Sequence, residues 1–167
     1  MSNGEVYKGA FKAGKRHGTG ICRLKSGALY KGEWREDKPH GMGILYCGNN
    51  EIVEARFEKG YIPNGRIKMI MTDGSYYDGQ YSHHQRHGKG TCYYSNGDIY
   101  DGEWVNDERV GRGKMRFTTQ LMYQGQFIKD QADGIGQIED KAANIYQIEQ
   151  GDEEDGRDTG CILNGRL

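Results

Sequence analysis

Proline occurs only twice in the 167 residues, and no apolar run approaches the length needed to span a bilayer. The amino terminus has no hydrophobic signal segment, so a cytoplasmic protein is expected. No Cys-x-x-Cys pair occurs among the four cysteines, Cys22, Cys47, Cys92 and Cys161. Zinc and dithiol redox motifs therefore lack support, and free thiols in a reducing compartment are expected. Neither sign of charge dominates: 23 Lys and Arg stand against 24 Asp and Glu. A net charge of -1 gives no drive towards nucleic acid and makes an anionic membrane a poor partner. Apolar residues are also scarce, at 35% with a mean hydropathy of -0.91, which is poor for a thick core.

What the chain has is glycine and tyrosine, 27 and 12 residues. The glycines follow no collagen period, and a disordered chain would lack the aromatics. The economical reading is an ordered but thin protein, one layer of sheet with a polar side facing water.

The aromatics recur at a fixed step. YKGAF opens at Tyr7, YKGEW at Tyr30, YDGQY at Tyr77, YDGEW at Tyr100 and YQGQF at Tyr123. The steps from Tyr7 to Tyr30, Tyr77 to Tyr100 and Tyr100 to Tyr123 are each 23 residues. Val53 and Tyr146 fall on the same beat, with one step of 24 from Val53 to Tyr77. Each opening tyrosine is followed after two residues by Gly9, Gly32, Gly79, Gly102 or Gly125. Eleven residues after it comes a Gly-x-Gly: Gly18 and Gly20, Gly41 and Gly43, Gly88 and Gly90, Gly111 and Gly113, Gly134 and Gly136. Turn signals such as KSGAL, TDGSY and SNGDI precede the next tyrosine. A run such as VGRGK is thus one copy of a repeated part. A phosphate loop is needed once per nucleotide and opens a helix, and five copies without one exclude that reading.

Each unit reads as a β-hairpin. In LYKGEW, Tyr30, Gly32 and Trp34 point to one side, Lys31 and Glu33 to the other. A loop of about six polar residues such as REDKPH is expected next, then a second strand such as GMGILY. Two strands in 23 residues leave no room for a helix. The expected fold is all-β: an elongated, twisted antiparallel β-hairpin solenoid, a single-layer meander of about thirteen strands running roughly 60 Å at about 4.8 Å per strand. Glycine normally weakens a strand and marks a close approach. Here a tyrosine ring of one strand is expected to lie flat over the bare backbone of the next, so that stacked units share stability with their neighbours.

These residues resemble the MORN repeat (membrane occupation and recognition nexus): Tyr-x-Gly-x-aromatic, a short polar segment, then Gly-x-Gly on a 23-residue period. The resemblance covers residues 1–150, with units starting at about 7, 30, 53, 77, 100 and 123. It implies a non-catalytic scaffold or adaptor. Arrays of this family occur in radial spoke heads and other axonemal assemblies of cilia and flagella, and in cytoskeletal structures of protists. They also accompany phosphatidylinositol phosphate kinases, junctophilins and a SET-domain methyltransferase, for whose other domains this chain has no room. The implied partners are other protein subunits of a large assembly in the cytoskeleton, specifically a motile-cilium axoneme. Free strand edges also offer end-to-end or homodimeric association. The alternatives are a membrane or phosphoinositide tether and a soluble adaptor that targets an enzyme. For the tether, Lys31, Arg35, Lys38 and Lys59 are present but interleaved with Glu33, Glu36 and Glu58.

Two units depart from the pattern. The third has Val53 for tyrosine, Ala55 for the first glycine, Ile67 for the last, and Pro63 in its loop. It is either a decayed repeat or a unit that bends the array or presents Ile67, Met69 and Met71 to a partner. Residues 146–167 hold a degenerate last unit or acidic cap, whose run GDEEDGRDTG lacks the spacing of a calcium loop.

No catalytic constellation is found. His17, His40 and His87 share one repeat position, and His83 and His84 lie in one loop, so three or four ligands do not converge. No nucleophile and base pair has a recognisable setting, and no metal or cofactor is expected. The surface remains. Tyrosine and tryptophan are favoured interface anchors. The candidate partner groove has Trp34, Tyr81, Trp104 and Phe127 as walls, with Tyr7, Tyr30, Tyr77, Tyr100 and Tyr123 as the row behind. The competing reading is that most of these rings are the protein's own packing.

Overall fold

The computed structural model describes residues 4–148. The acidic run and Cys161 lie outside the described residues. The chain forms two compact units, Met1–His83 and His84–Leu167. Among the described residues every regular element is a β-strand.

The first unit holds β1 (Val6–Lys12), β2 (Lys15–Arg23), β3 (Leu29–Arg35), β4 (Lys38–Tyr46), β5 (Ile52–Phe57), β6 (Gly65–Ile70) and β7 (Tyr76–Ser82). Each pairs antiparallel with the strand next in sequence. The second holds β8 (Gln85–Tyr93), β9 (Ile99–Val105), β10 (Glu108–Arg116), β11 (Met122–Ile128), β12 (Gln131–Glu139) and β13 (Ile145–Ile148), paired in the same way. Both units are β-hairpin meanders, as the repeat requires.

The hairpin turns are tighter than the sequence suggests. Arg35 pairs with Lys38, so only Glu36 and Asp37 separate β3 from β4. Both have positive φ, 50° and 67°, the signature of a type I′ turn whose twist matches the flanking strands. Asn106–Asp107, Lys129–Asp130 and Ala13–Gly14 repeat this geometry. The six-residue loop read from REDKPH is therefore a two-residue turn with strand on either side. Polarity misled because a strand in a single layer has a wet face, so polar residues there do not mark a loop. The connections between hairpins are three-residue turns. Tyr94 N–H donates to Asp98 O at 2.9 Å, Gly97 N–H donates to Tyr94 O at 2.9 Å, and Gly97 takes φ 92°.

The third unit keeps its hairpin but changes its filling. Ala55 pairs with Ile67 where other units pair two glycines, and Val53, Ala55, Phe57 and Ile67 are all buried. A ring is missing at Val53, and the side chains of Ala55 and Ile67 occupy the space it leaves. Ile67 is thus core, not a residue offered to a partner. Strand pairing lapses across Ile62, Pro63 and Asn64, where proline has no N–H to give.

Candidate partner-binding surface

The two faces of the strands have different chemistry. On one, the opening tyrosines lie across paired glycines. Gly32 pairs with Gly43, and a Cβ on either would fall within 3.0 Å of Tyr30. Tyr100 sits the same way over Gly102 and Gly113, Tyr123 over Gly125 and Gly136, and Tyr7 over Gly9 and Gly20. Each hydroxyl then donates to the carbonyl three residues on: Tyr30 to Glu33 O at 3.0 Å, Tyr77 to Gln80 O at 2.7 Å, Tyr100 to Glu103 O at 3.1 Å. That carbonyl lies beside a register shift in β3–β4 and in β9–β10.

The first glycine of each Gly-x-Gly has a different task. Gly41 takes φ 71° at the shift, a conformation that favours glycine. Glu33 packs against it and accepts from Met42 N–H at 2.9 Å.

The fifth-position aromatics bridge units. Trp34 meets its own Tyr30 edge-on at 5.2 Å and the preceding Tyr7 at 5.1 Å. Phe57 meets Tyr30 at 4.9 Å, and Phe127 meets Tyr100 at 5.0 Å. The indole N–H of Trp104 donates to Gly90 O at 2.9 Å, that of Trp34 to Gly20 O at 3.2 Å. Arginines close the row. Arg16 lies 4.5 Å over Trp34 and Arg86 4.1 Å over Trp104. Arg86 also clasps the next turn: its N–H and Nε reach Asp107 Oδ1 at 2.9 Å, and Nη2 reaches Asp107 O at 2.8 Å. Arg109 does the same to Asp130.

The result is burial. Tyr30, Tyr77 and Tyr100 are fully buried, Trp104 is 1% exposed, Trp34 3% and Phe127 4%. Tyr123 is buried as well, while Tyr7 and Tyr81 are half-buried. Within each unit the buried walls and the buried row behind them thus pack as a spine, and their surface is used on one another. A thin sheet can hide its rings because the glycines let them lie flat and the arginines cover them. Burial pushes the Tyr30 and Tyr94 hydroxyls up to about 12, helped at Tyr30 by the Glu33 charge and opposed at Tyr94 by Arg109. Burial also raises the Cys22 thiol.

The opposite face carries what the sequence reading missed. Lys8, Ile21, Lys31, Ile44 and Glu54 follow one another across β1 to β5 as register partners. With Thr19, Glu33 and Met42 they flank the backbone of Gly9, Gly20, Gly32 and Gly43 and line a cavity of about 700 Å³. Ile21 is 40% exposed and Met42 52%. Aligning the repeats would have revealed them: where Ile21 and Ile44 stand, later units have Thr91, Lys114 and Gln137. A second cavity, of about 600 Å³, lies at the turn ends and is lined by His17 and His40 with Lys12, Lys15 and Glu36. Among the described residues no three His, Cys, Asp or Glu side chains converge as metal ligands. Nor is any helix long and apolar enough to cross a membrane.

A hairpin meander whose repeated side chains build its own spine defines a β-hairpin repeat protein. The MORN repeat family model matches residues 7–28, 30–52, 77–99, 100–122 and 123–139, and the chain belongs to that family. The third hairpin, with its altered filling, falls between the matches. No curated protein matches the chain. Among solved structures, the chain is similar to the SAS-4 (dCPAP) TCP domain of Drosophila melanogaster, in complex with a proline-rich motif of Ana2 (dSTIL). Identity is 10%, coverage 89% of this chain and 79% of that one, and the TM-score 0.58. The TCP10 domain of Danio rerio CPAP, in complex with a peptide of STIL, has 14% identity, 87% and 83% coverage, and a TM-score of 0.43. At 10% identity the likeness to the SAS-4 domain is one of fold.

Proposed function

We propose that the protein is a non-catalytic scaffold that holds segments of other protein subunits in a cytoskeletal assembly, most specifically the motile-cilium axoneme and its radial spoke heads. The observation that carries the reading is that the repeated side chains are engaged in internal packing. What varies between units is the surface, and a surface that varies on a fixed frame suits recognition of protein segments. A solved domain of similar fold stands in complex with a proline-rich motif, which supports protein partners in general. The axonemal assignment rests on where arrays of this family occur. Of the ring row, the half-buried Tyr7 and Tyr81 are the members that remain within a partner's reach.

The test is extraction from a ciliated cell. The tagged protein is followed through detergent removal of membranes and then a high-salt wash of the skeleton. Retention with the axoneme, with cross-links to spoke subunits, is the expected result. Release with the detergent-soluble membranes assigns a lipid tether instead, and release into the cytosol assigns a soluble adaptor.

A further inference from the structure

We infer that the trough on the polar face of the first unit receives a polyproline-II segment of a partner protein, with an acidic residue at every third position and apolar residues between. This rests on the scaffold reading and gives the partner its chemistry.

The trough is not something the fold needs. Thr91 and Lys114 stand at the positions of Ile21 and Ile44 and sit in strands of the same kind. Apolar side chains exposed where the repeat accepts polar ones point to a contact surface. The alternation of the strands supplies the shape, because positions whose side-chain direction is the tyrosine face leave bare backbone on this one. Gly9, Gly20, Gly32 and Gly43 follow one another as partners across four strands, and the side chains on either side of them on this face stand up as walls.

The charges supply the orientation and the period. Lys8 and Lys31 lie two strands apart in the row, with Ile21 between them, and Ile44 and then Glu54 follow. Two strand spacings are about 9.6 Å. Three residues of polyproline II advance about 9.3 Å and return a side chain to the same side. A β-strand returns its face about every 6.7 Å and an α-helix about every 5.4 Å, so neither stays in step with the lysines. Acidic residues three apart then meet Lys8 and Lys31, the apolar residues between them fall on Ile21, and those after the second acid fall on Met42 and Ile44. Glu54 ends the run and favours a basic residue there. The segment is thus about two triplets long. The preformed polyproline-II helix loses little entropy on docking.

The probe is a fluorescein-labelled peptide of two Asp-Pro-Leu triplets followed by Lys-Pro, titrated with the full chain by fluorescence anisotropy. Saturable binding is expected. It should weaken about tenfold or more in the I21T/I44K double variant, and in a peptide with lysine in place of both aspartates. The double variant installs residues that equivalent strands already carry, and an unchanged circular dichroism melt verifies its fold. No saturable binding, or equal binding by the variant or the swapped peptide, overturns the inference. Phosphatidylcholine vesicles with phosphatidylserine are a second probe. Co-sedimentation with them that the double variant loses would assign the trough to a lipid surface and overturn the peptide. Peptide failure with the wild-type chain still on the axoneme removes the trough alone. Loss from the axoneme with peptide binding intact removes only the scaffold reading.

Discussion

At the scale of single residues, the glycines and tyrosines act as matched parts. Gly113 lies under the Tyr100 ring, and any Cβ there collides with it. Gly113→Val should destabilise the second unit by roughly 1–3 kcal/mol, the usual cost of overpacking, measured by urea denaturation. Gly14 has open space around it, and its substitution costs only the strain of its positive φ. The tyrosines also set an alkaline limit. Below pH 10 the hydroxyls are protonated in folded and unfolded chains alike. Above it the unfolded chain ionises while Tyr30 and Tyr94, raised to about 12, hold their protons. The folded state then binds more protons, so stability falls as pH rises from 10 towards 12. Thermal melts between pH 9 and 11.5 should show the midpoint dropping steeply from about pH 10. A midpoint insensitive to pH across that range would contradict the buried hydroxyls.

At the scale of the element, the third hairpin tests whether the parts are coupled. Restoring its ring with Val53→Tyr alone drives a ring into space filled by Ala55 and Ile67. That single change should cost roughly 1–3 kcal/mol. Adding A55G and I67G clears the space, and the triple variant should be more stable than the sum of the separate changes. Urea midpoints of the full cycle measure the coupling, and strict additivity would show that the hairpin is merely loose. The hairpin was legible in sequence because Tyr30, Gly32 and Gly43 recur in phase with their equivalents, and a ring needs a bare neighbour. The turn was not legible, because Glu36 and Asp37 show no glycine and the left-handed pair is imposed by the strands on either side. The burial of Trp34 was legible only as the competing reading that the rings are the protein's own packing, and the cover that Arg16 gives it from the preceding hairpin was not. The trough at Ile21 and Ile44 was hidden for another reason: repeat reading finds what units share, and this surface is where they differ.

At the scale of the whole molecule, protection should follow the burial pattern along the chain. Strands β3 and β9 alternate buried and exposed positions around fully buried tyrosines, whereas β13 has Ile145 and Tyr146 61% and 54% exposed. Amides of β13 should exchange fastest among the described strands and those of β3, β4, β9 and β10 slowest, read by hydrogen exchange with mass spectrometry. Uniform protection would mean that each unit opens only as a block.

The pairing order has a consequence for how the chain is made. Within each unit every strand finds its partner immediately before or after it in sequence, never across a distant segment. Closing such contacts costs little loop entropy, which makes for rapid folding. A nascent chain emerging from the ribosome can therefore complete Tyr30 against Gly43 while later hairpins are still being synthesised. Each new hairpin arrives at a template already formed, so synthesis and folding can proceed in the same direction and at the same pace.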